Sequence, residues 1–328
     1  MPEAGSGRWR RWRPSEFANC EVAEDAQIEA EEAVIGEGTR IEAGACICAR
    51  RILIGTGGRL ERGTSAQGLG APMDVFQVGD QSLIGFATQI LCPSFSMGDY
   101  SQLHNNGLHS GYKPLRIGHN CWIGQHSILN CTEQLTIGNN VRIGTQSQLW
   151  THVASGELLE GCTLFNQIPL VLEDNVWIVG GAVISPGLRL ARNSIIMTGS
   201  VLTKSTEPFH TYAGVPARDV TDKLNFWKPQ TLEEKIRRMR DFVSEFVATH
   251  PGHEDRIRVA GNASEIADAH AGDVIFVGAV DDWRIAAERR VSLFDLTAKT
   301  YLKQRSPTEI DWMRWSVGYR ARFVPREG

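Results

Sequence analysis

A repeat of six residues runs through most of the first 207 residues of this 328-residue chain and constrains its fold more than any other feature. In each copy the first position is Ile, Leu or Val, the fifth is usually small or Val, and Gly often comes second. From Leu172 the chain reads LEDNVW, IVGGAV, ISPGLR, LARNSI, IMTGSV and LTKSTE. Earlier copies begin at Val22, Ile28, Ile35, Val78, Ile117 and Ile137. A period of six is not that of a helical heptad, so the repeat argues against a coiled coil.

The repeat predicts an all-β fold, a parallel β-helix in which each hexapeptide is one short strand. The aliphatic side chain would point into a prism, and stacked coils would cover one another's apolar residues. Gly would supply turn conformations that a side chain blocks. The composition agrees, since 33 Gly against 13 Pro indicates glycines placed at turns rather than spread through a disordered chain. The repeat alone leaves the hand of the coil open.

Three segments interrupt the period and are predicted to leave the prism. Neither the interval from Leu103 to Ile117 nor the interval from Leu149 to Leu172 is a multiple of six, and segment 59–72 lacks the pattern. The first two breaks open alike, with SQLH at 101–104 and SQLWTH at 147–152. Loops that leave a rigid scaffold commonly carry functional residues. We therefore predict that the histidines of these two loops contribute to a site.

The sequence predicts further segments on either side of a β-helix domain at 21–207. Residues 1–20 contain the basic aromatic run RWRRWR, and we expect a mobile N-terminal segment there. Residues 208–230 are predicted to be a Gly/Pro tail and linker, and residues 231–328 a small α/β domain. Its predicted elements are a helix opened by a Thr231–Glu234 capping box, strands at 257–260 and 273–277, a helix from Ser264, and a Trp-rich helix around 311–317.

Composition and charge argue against several function classes. The net charge is −4, from 34 Lys and Arg against 38 Asp and Glu, so no global basic excess indicates nucleic-acid binding. No run of about 18 apolar residues predicts a membrane-spanning helix. The N-terminus lacks the apolar run of a signal peptide, and the seven Cys include no CxxC pair. We therefore expect a cytoplasmic protein whose cysteines are small buried residues.

The segment from Asn175 to Val220 resembles the left-handed β-helix (hexapeptide-repeat) acyltransferases, in particular sugar O-acetyltransferases of the galactoside and maltose type. The matching motifs are Asn175–Ile178 (NVWI), Pro186–Gly187, Asn193–Ser194, Gly199–Val201, Thr203–Lys204 and Gly214–Ala217 (GVPA). The chain departs from the family pattern at Val179, Ala191 and Met197–Thr198. The resemblance covers about residues 22–220 and implies a left-handed coil.

The resemblance implies a homotrimer with active sites in the clefts between neighbouring prisms and acetyl-CoA as co-substrate. The pantetheine arm would run against the backbone of the last coils, where small residues permit close approach: Gly180, Gly181, Thr198 and Gly199. Lys204 and Arg218 stand near that end of the prism and would bind the CoA phosphates. The implied acceptor is a carbohydrate or similar small molecule, without nucleic acid or a membrane span.

The family's catalytic His lies in the loop before the NVWIG motif, and His152 is the His that matches it. A hydroxyl group is a poor nucleophile at neutral pH, and a neutral imidazole that takes its proton contributes about 10²–10⁴-fold to the rate. Glu157 or Glu160 could orient the ring. No Ser or Cys lies in a recognisable nucleophile motif, so we expect direct attack without an acyl-enzyme. The candidates for the acceptor pocket are His104, His109, Trp150 and Glu157.

Three other functions remain open from the sequence. The same scaffold serves N-acetylation of amino-sugar nucleotides and non-catalytic binding or assembly. His104 and His109 are five residues apart, as are two zinc ligands of the β-helical gamma carbonic anhydrases. The third ligand of such a site would precede the pair, but no His occurs before His104, and two ligands do not hold a catalytic zinc. We therefore expect no metal.

Overall fold

The structure is a computed structural model, and it describes residues 9–154, 156–261 and 266–326. The chain divides into two compact units, residues 1–226 and 227–328. The first unit is built almost entirely of short strands. In chain order they are β1 (Arg10–Trp12), β2 (Glu21–Val22), β3 (Gln27–Ala30), β4 (Glu32–Ile35), β5 (Arg40–Ile41), β6 (Cys46–Ile54), β7 (Arg59–Leu60), β8 (Ser65–Gln67), β9 (Met73–Val78), β10 (Leu83–Ile84), β11 (Gln89–Leu91), β12 (Ser94–Met97), β13 (Gln102–Leu103), β14 (Leu108–Ser110), β15 (Leu115–Ile117), β16 (Trp122–Ile123), β17 (Ile128–Asn130), β18 (Leu135–Ile137), β19 (Arg142–Ile143), β20 (Gln148–Leu149), β21 (His152–Ala154), β22 (Phe165–Gln167), β23 (Leu170–Leu172), β24 (Trp177–Ile178), β25 (Val183–Ile184), β26 (Arg189–Leu190), β27 (Ile195–Ile196), β28 (Val201–Leu202), β29 (Thr211–Gly214) and β30 (Ala217–Asp219).

Three parallel sheets form the faces of a prism, and the chain visits them in the order face 1, face 2, face 3. Face 1 contains β2, β5, β7, β10, β13, β16, β19, β24, β27 and β29. Face 2 contains β3, the first part of β6, β8, β11, β14, β17, β20, β25 and β28. Face 3 contains β4, the rest of β6, β9, β12, β15, β18, β23 and β26. The predicted fold class, a left-handed parallel β-helix, is confirmed.

The core of the prism consists of three columns of buried residues, one behind each face. On face 1 they are Ile41, Leu60, Ile84, Leu103, Ile123, Ile143, Ile178 and Ile196. On face 2 they are Ile28, Ile47, Ala66, Ile90, His109, Leu129, Leu149, Ile184 and Leu202. On face 3 they are Ile54, Val78, Met97, Ile117, Ile137, Leu172 and Leu190. Most are first positions of the hexapeptides, and each buried aliphatic side chain contributes about 1.5–3 kcal/mol to stability.

Variation in coil length is confined to one corner of the prism, the corner between faces 2 and 3. Along the columns, successive core residues are six apart from face 3 to face 1 and from face 1 to face 2, as in Ile117–Ile123–Leu129. From face 2 to face 3 the spacing varies, with seven residues from Ile90 to Met97 and eight from Leu129 to Ile137. This corner, which we call the variable corner, absorbs every extra residue.

Two of the three predicted excursions are in fact part of the coil. The stretch from Leu103 to Ile117 passes through β14 on face 2, and the apparent break is two extra residues at the variable corner. Segment 59–72, interpreted from its sequence as a loop, contains β7 and β8, which pair in register with their neighbours. Ala66 fills the core position of β8, so the aliphatic signal is weak there. The first prediction of a loop was therefore wrong, and the second holds only for residues 68–72, which connect β8 to β9 at the variable corner.

The third predicted excursion does leave the prism. Between β20 and β23 the chain forms an antiparallel hairpin of β21 and β22, in which His152 pairs with Gln167 and Ala154 with Phe165. The hairpin emerges at the variable corner, between the core positions Leu149 and Leu172.

The described part of the N-terminal segment is ordered rather than mobile. Strand β1 pairs antiparallel with β3, and Pro14–Glu16 form a short 3₁₀ helix. The Trp12 ring stacks on Phe17 with the centroids 5.7 Å apart and packs against the core. An apolar contact of this kind holds a chain end that composition alone predicts to be free. Residues 1–8 of the predicted segment lie outside the described residues.

In its described residues, the second unit has a five-stranded sheet in the order β31-β32-β33-β34-β35 and three α-helices. Its elements are α1 (Leu232–Thr249), β31 (Ile257–Val259), β32 (Val274–Val277), α2 (Arg284–Glu288), β33 (Ser292–Asp295), β34 (Thr300–Tyr301), α3 (Pro307–Ser316) and β35 (Val324–Pro325). Strands β31 to β33 are parallel, whereas β34 runs antiparallel to β33. The predicted capping box is present: the Glu234 N–H donates to Thr231 Oγ1 at 3.2 Å, and Thr231 N–H donates to Glu234 Oε2 at 2.8 Å. The helix predicted from Ser264 would start outside the described residues.

Among the helices that the structure describes, none combines the length and the apolar character needed to cross a bilayer.

Candidate active site

His152 lies at the variable corner as the first residue of the hairpin, directly after the face 2 strand β20. Its side chain is half-buried, and its Nδ1 atom is 3.0 Å from the Oδ1 atom of Asn130. Asn130 ends β17, the face 2 strand of the preceding coil, and only 6% of it is exposed. The two side chains therefore meet across adjacent coils of the same corner.

The hydrogen bonds of Asn130 determine which of its amide atoms faces His152. The Oδ1 atom accepts from the Thr151 hydroxyl at 2.7 Å and from the Thr151 N–H at 3.3 Å. The Nδ2 atom donates to Thr132 Oγ1 at 3.1 Å and to the Ser110 carbonyl at 3.4 Å. Since Oδ1 can only accept, His152 must donate from Nδ1, and a neutral ring then carries its lone pair on Nε2.

The Nε2 atom of His152 has no hydrogen-bond partner among the described residues. A neutral imidazole with a fixed Nδ1–H and an unpaired Nε2 is arranged to accept a proton from a bound molecule. Asn130 was not predicted as a site residue, because its partner His152 is distant in sequence and belongs to another coil. The available signal was its place at the end of a face 2 hexapeptide, one coil before the hairpin.

Trp150 and Glu157 occupy different parts of the hairpin region. Trp150 is half-buried, donates from Nε1 to Gln148 Oε1 at 3.2 Å, and presents its ring edge-on to His152 at a centroid distance of 6.1 Å. Glu157 is exposed in the turn of the hairpin, where its carbonyl accepts from Cys162 N–H at 3.1 Å. The predicted role of Glu157 or Glu160 in orienting the ring is wrong, because Asn130 occupies Nδ1.

His109 does not line a pocket, and this part of the predicted site is wrong. Its side chain is fully buried in the face 2 column, in register with Ile90 and Leu129. Among the described residues, neither ring nitrogen has a hydrogen-bond partner. Burial lowers the pKa of His109 to about 3, so the ring is neutral at physiological pH. The sequence placed His109 in a loop because the two extra corner residues disguised its hexapeptide.

His104 lies on a different part of the prism from His152. It follows the face 1 strand β13, and its Nε2 atom is 3.1 Å from Gln102 Oε1. Its ring is 4.8 Å from that of Trp122, and burial lowers the pKa of His104 against the raising effect of Glu61. Within a single chain, His104 therefore lies away from the variable corner that carries His152.

Five of the six predicted cofactor residues border face 2, the four small ones at one corner and Lys204 at the other. Gly180, Gly181, Thr198 and Gly199 lie at the corner between faces 1 and 2, where the Gly199 N–H donates to the Gly180 carbonyl at 2.9 Å. Gly181 and Gly199 take positive φ angles of 57° and 69°, which favour glycine. A Cβ added at Gly199 would meet nothing within 4 Å, so the backbone there is open to an approaching molecule.

The two predicted phosphate ligands are exposed near the C-terminal end of the prism. Lys204 follows β28 at the variable corner, two coils beyond β20 and so about 10 Å along the prism from the His152 coil. Arg218 lies on β30 and donates from Nη1 to the Ala217 carbonyl at 3.3 Å. Lys204 and His152 thus share one corner.

Within the described ranges, no group of three or more His, Cys, Asp or Glu side chains is arranged to hold a metal ion. His104 and His109, five residues apart in sequence, cannot act as a ligand pair, because His109 points into the core while His104 lies on the outside of face 1.

Curated proteins with similar sequences include two galactoside O-acetyltransferases. The galactoside O-acetyltransferase of Escherichia coli (strain K12) is 30% identical over 129 residues, covering 37% of this chain and 63% of that protein. The galactoside O-acetyltransferase of Lactococcus lactis is 32% identical over 91 residues, covering 27% of this chain and 43% of that protein. The chain thus spans less than two thirds of the length of either relative. No protein-family model matches the chain.

Among solved structures, a maltose O-acetyltransferase from Clostridium difficile aligns with a TM-score of 0.32 and 23% identity, covering 44% of this chain and 67% of that one. The curated relatives agree with the resemblance seen in the hexapeptide motifs. The chain is a left-handed β-helix protein that is similar, over part of its length, to sugar O-acetyltransferases.

Proposed function

We propose that this protein is a CoA-dependent acyltransferase that transfers an acetyl group from acetyl-CoA to a hydroxyl group of a sugar or sugar-like acceptor. The observation that carries the proposal is the hydrogen bond between His152 Nδ1 and Asn130 Oδ1, 3.0 Å long, which leaves Nε2 without a partner among the described residues. The named relatives, two galactoside O-acetyltransferases, support the choice of acetyl donor and carbohydrate acceptor.

His152 acts as the general base in this proposal. Its Nε2 atom takes the proton of the acceptor hydroxyl as the oxygen attacks the thioester carbonyl carbon. The new C–O bond forms, the C–S bond breaks, and the CoA thiolate takes the proton from the imidazolium. Asn130 stabilises that imidazolium through Nδ1–H and keeps the ring from rotating.

Direct transfer needs no covalent enzyme intermediate, and the thiol next to the site does not favour one. Cys131 follows Asn130, is buried, and has its pKa raised by a hydrogen bond with Cys92 and by burial. A thiol with a raised pKa stays protonated and is a poor nucleophile. The acceptor hydroxyl is therefore the attacking group.

Acetyl-CoA would lie along face 2, between the two groups of residues that border it. The open backbone at Gly199 allows a pantetheine amide to approach, and the exposed Lys204 and Arg218 can pair with phosphates. Since Lys204 and His152 share the variable corner, the thioester can reach the base while the nucleotide lies toward the C-terminal end of the prism.

A homotrimer is part of the proposal, because the hairpin exposes apolar side chains in a single chain. Leu158 and Leu159 are 70% and 88% exposed, and Leu164 and Phe165 are also exposed. Contiguous exposed apolar residues mark protein interfaces, and a second copy of this chain would cover them. Light scattering at micromolar concentration should give three times the chain mass. A Leu158→Ser/Leu159→Ser variant should shift the equilibrium toward the monomer, whereas a monomeric wild-type protein contradicts the trimer.

A cytoplasmic location is also proposed. All seven cysteines are free thiols, as is usual in a reducing compartment.

The function is tested by measuring CoA thiol release from acetyl-CoA with matched hydroxyl and amino acceptors, such as galactosides and the corresponding amino sugars. We expect turnover with hydroxyl acceptors and mass spectra that show one added acetyl group on oxygen. Turnover confined to amino acceptors would assign N-acetylation instead. Failure to bind acetyl-CoA in calorimetry, together with no thiol release, would favour a non-catalytic β-helix.

A further inference from the structure

Thr151 precedes His152 in the chain, and its side chain is buried where those of its two neighbours are not. After β20 the side chains alternate, so that Trp150 and His152 are half-buried while Thr151 is fully buried. The alternation places the Thr151 hydroxyl group beside Asn130, which ends β17 on the preceding coil. The Oδ1 atom of Asn130 thus receives both the Thr151 hydroxyl and the Nδ1 atom of His152.

A backbone donor fixes the direction of the Thr151 hydroxyl group. A hydroxyl can donate or accept, whereas a backbone N–H can only donate. The Glu133 N–H lies 3.0 Å from Thr151 Oγ1, so Oγ1 accepts there and its own hydrogen must be directed elsewhere. Asn130 Oδ1 is 2.7 Å away and the Asn130 carbonyl oxygen 3.3 Å. The shorter contact identifies Oδ1 as the acceptor of the Thr151 hydroxyl.

The Thr151 hydroxyl in turn determines the orientation of the Asn130 amide. Only the oxygen of the amide can accept the hydroxyl hydrogen, so Oδ1 must face Thr151. The contacts of Nδ2 constrain the amide less. The Thr132 hydroxyl can donate as well as accept, and the Ser110 carbonyl is 3.4 Å away. Thr151 is therefore the main reason why an oxygen, and not an NH₂ group, lies beside the His152 ring.

The orientation of the amide decides which nitrogen of a neutral His152 ring carries the proton. With Oδ1 at 3.0 Å, Nδ1 must donate, and the lone pair lies on Nε2. With the amide reversed, an NH₂ group would face Nδ1, which would then have to accept, and the proton would move to Nε2. A ring with its proton on Nε2 cannot take a second one there as a general base.

We propose that Thr151 is a positioning residue that holds His152 in the tautomer a general base requires. The hydrogen bonds run from the Glu133 N–H to Thr151 Oγ1 and from the Thr151 hydroxyl to Asn130 Oδ1, which also accepts from His152 Nδ1. A backbone donor at the variable corner therefore sets the state of the base through two side chains. The inference rests on the proposed function of His152, but the tautomer can be measured without catalysis.

The kinetic test compares two substitutions of Thr151 in the full-length protein. Thr151→Val replaces the hydroxyl with a methyl group and should lower kcat by about 3- to 10-fold, the effect of one hydrogen bond, with the KM for acetyl-CoA unchanged. Thr151→Ser keeps the hydroxyl and should retain most of kcat. Thr39→Val, at a fully buried threonine that donates to the Gly55 carbonyl, is the matched control and should leave kcat unchanged. Circular dichroism checks that each variant folds.

A second readout observes the tautomer itself, by long-range proton–nitrogen NMR of protein labelled with ¹⁵N at histidine. At about pH 8.5, well above the ordinary range of histidine, the resonances lost in His152→Gln should show a protonated Nδ1 in wild type and Thr151→Ser. In Thr151→Val, a substantial fraction should carry the proton on Nε2.

The proposal is overturned if Thr151→Val keeps the wild-type tautomer, or if Thr151→Ser loses as much kcat as Thr151→Val. A wild-type protein that transfers no acetyl group would contradict the proposed function instead, and the NMR comparison would then decide the role of Thr151 by itself.

Discussion

His152 and Asn130 are joined by a 3.0 Å hydrogen bond that connects two adjacent coils at the same corner of the prism. Asn130 is a positioning residue, since it reaches the proposed chemistry only through the imidazole. Asn130→Ala should lower kcat by about 10- to 100-fold, as expected for a group that orients a functional histidine. The KM for acetyl-CoA should stay within about twofold of wild type.

The control for Asn130 is Thr132→Val, which removes another partner of the same amide but leaves the contact with His152. Its kcat should remain close to wild type. Equal losses of kcat in both variants, with equal losses of stability, would assign Asn130 a purely structural role.

Replacing His152 tests the base directly. His152→Ala should lower kcat by about two orders of magnitude or more, because the acceptor hydroxyl would keep its proton during attack. Calorimetric binding of CoA should survive, since the ring faces the acceptor. His104→Ala serves as the matched histidine deletion on face 1, and a reversal of the two phenotypes would exchange their roles.

The exposed cations Lys204 and Arg218 should contribute to the binding of acetyl-CoA rather than to the rate of the chemical step. Each Ala variant should raise the KM for acetyl-CoA by about two- to fivefold, the usual effect of a solvent-exposed charge pair, with little change in kcat. The effect should shrink in about 0.5 M salt as screening increases. An unchanged KM in both variants would place the nucleotide elsewhere on the prism.

The buried His109 makes the stability of the prism depend on pH. Burial lowers its pKa from 6.5 to about 3, so the unfolded chain binds a proton between these values and the folded chain does not. Its contribution to stability is therefore complete above pH 6.5 and is lost as the pH falls toward 3. Lowering the pH from about 7.5 to about 4.5 should therefore reduce the free energy of unfolding by about 2–3 kcal/mol through His109.

His109→Leu should remove that pH-dependent component, since leucine matches the register partners Ile90 and Leu129. It should also raise stability at about pH 7.5 by about 1–3 kcal/mol, because two unsatisfied ring nitrogens leave the core. Urea unfolding at the two pH values measures both effects. His126→Asn, which removes an exposed histidine at a positive φ, should change neither.

The second unit should be dispensable for folding of the prism. A chain that ends after Phe226 keeps all three faces and the β29–β30 hairpin, and each coil is stabilised mainly by its neighbours. We expect a β-rich circular dichroism spectrum and a cooperative thermal transition. A disordered spectrum would mean that the prism requires residues beyond Phe226.

The sequence predicted the prism well, because six-residue spacing is strict at two corners and so marks Ile123, Ile143 and Ile178 as core positions. It failed at the variable corner, where two extra residues after β14 made His109 look like a loop residue. The core position of Ala66 was missed for another reason, because such a small side chain gives no aliphatic signal.

Of the proposed pair His152 and Asn130, only His152 could be predicted from the sequence, through its place before the NVWI motif. Asn130 could not be recognised, since the contact depends on how far the chain travels in one coil. That distance is set by corner residues that carry no periodic signal. Long-range side-chain pairing of this kind is visible only once the register of adjacent strands is known.

Because every change in coil length falls at one corner, the prism has a single edge where residues can be added or removed without shifting a core column. The hairpin that carries His152 is the largest such addition. Directly beside it lies the longer corner between β17 and β18, where eight residues separate Leu129 from Ile137. New acceptor preferences could therefore arise through insertions at this edge while the hydrophobic interior keeps its register. Grafting loops of different length between Asn130 and Leu135 is the natural place to begin redesigning what the protein recognises.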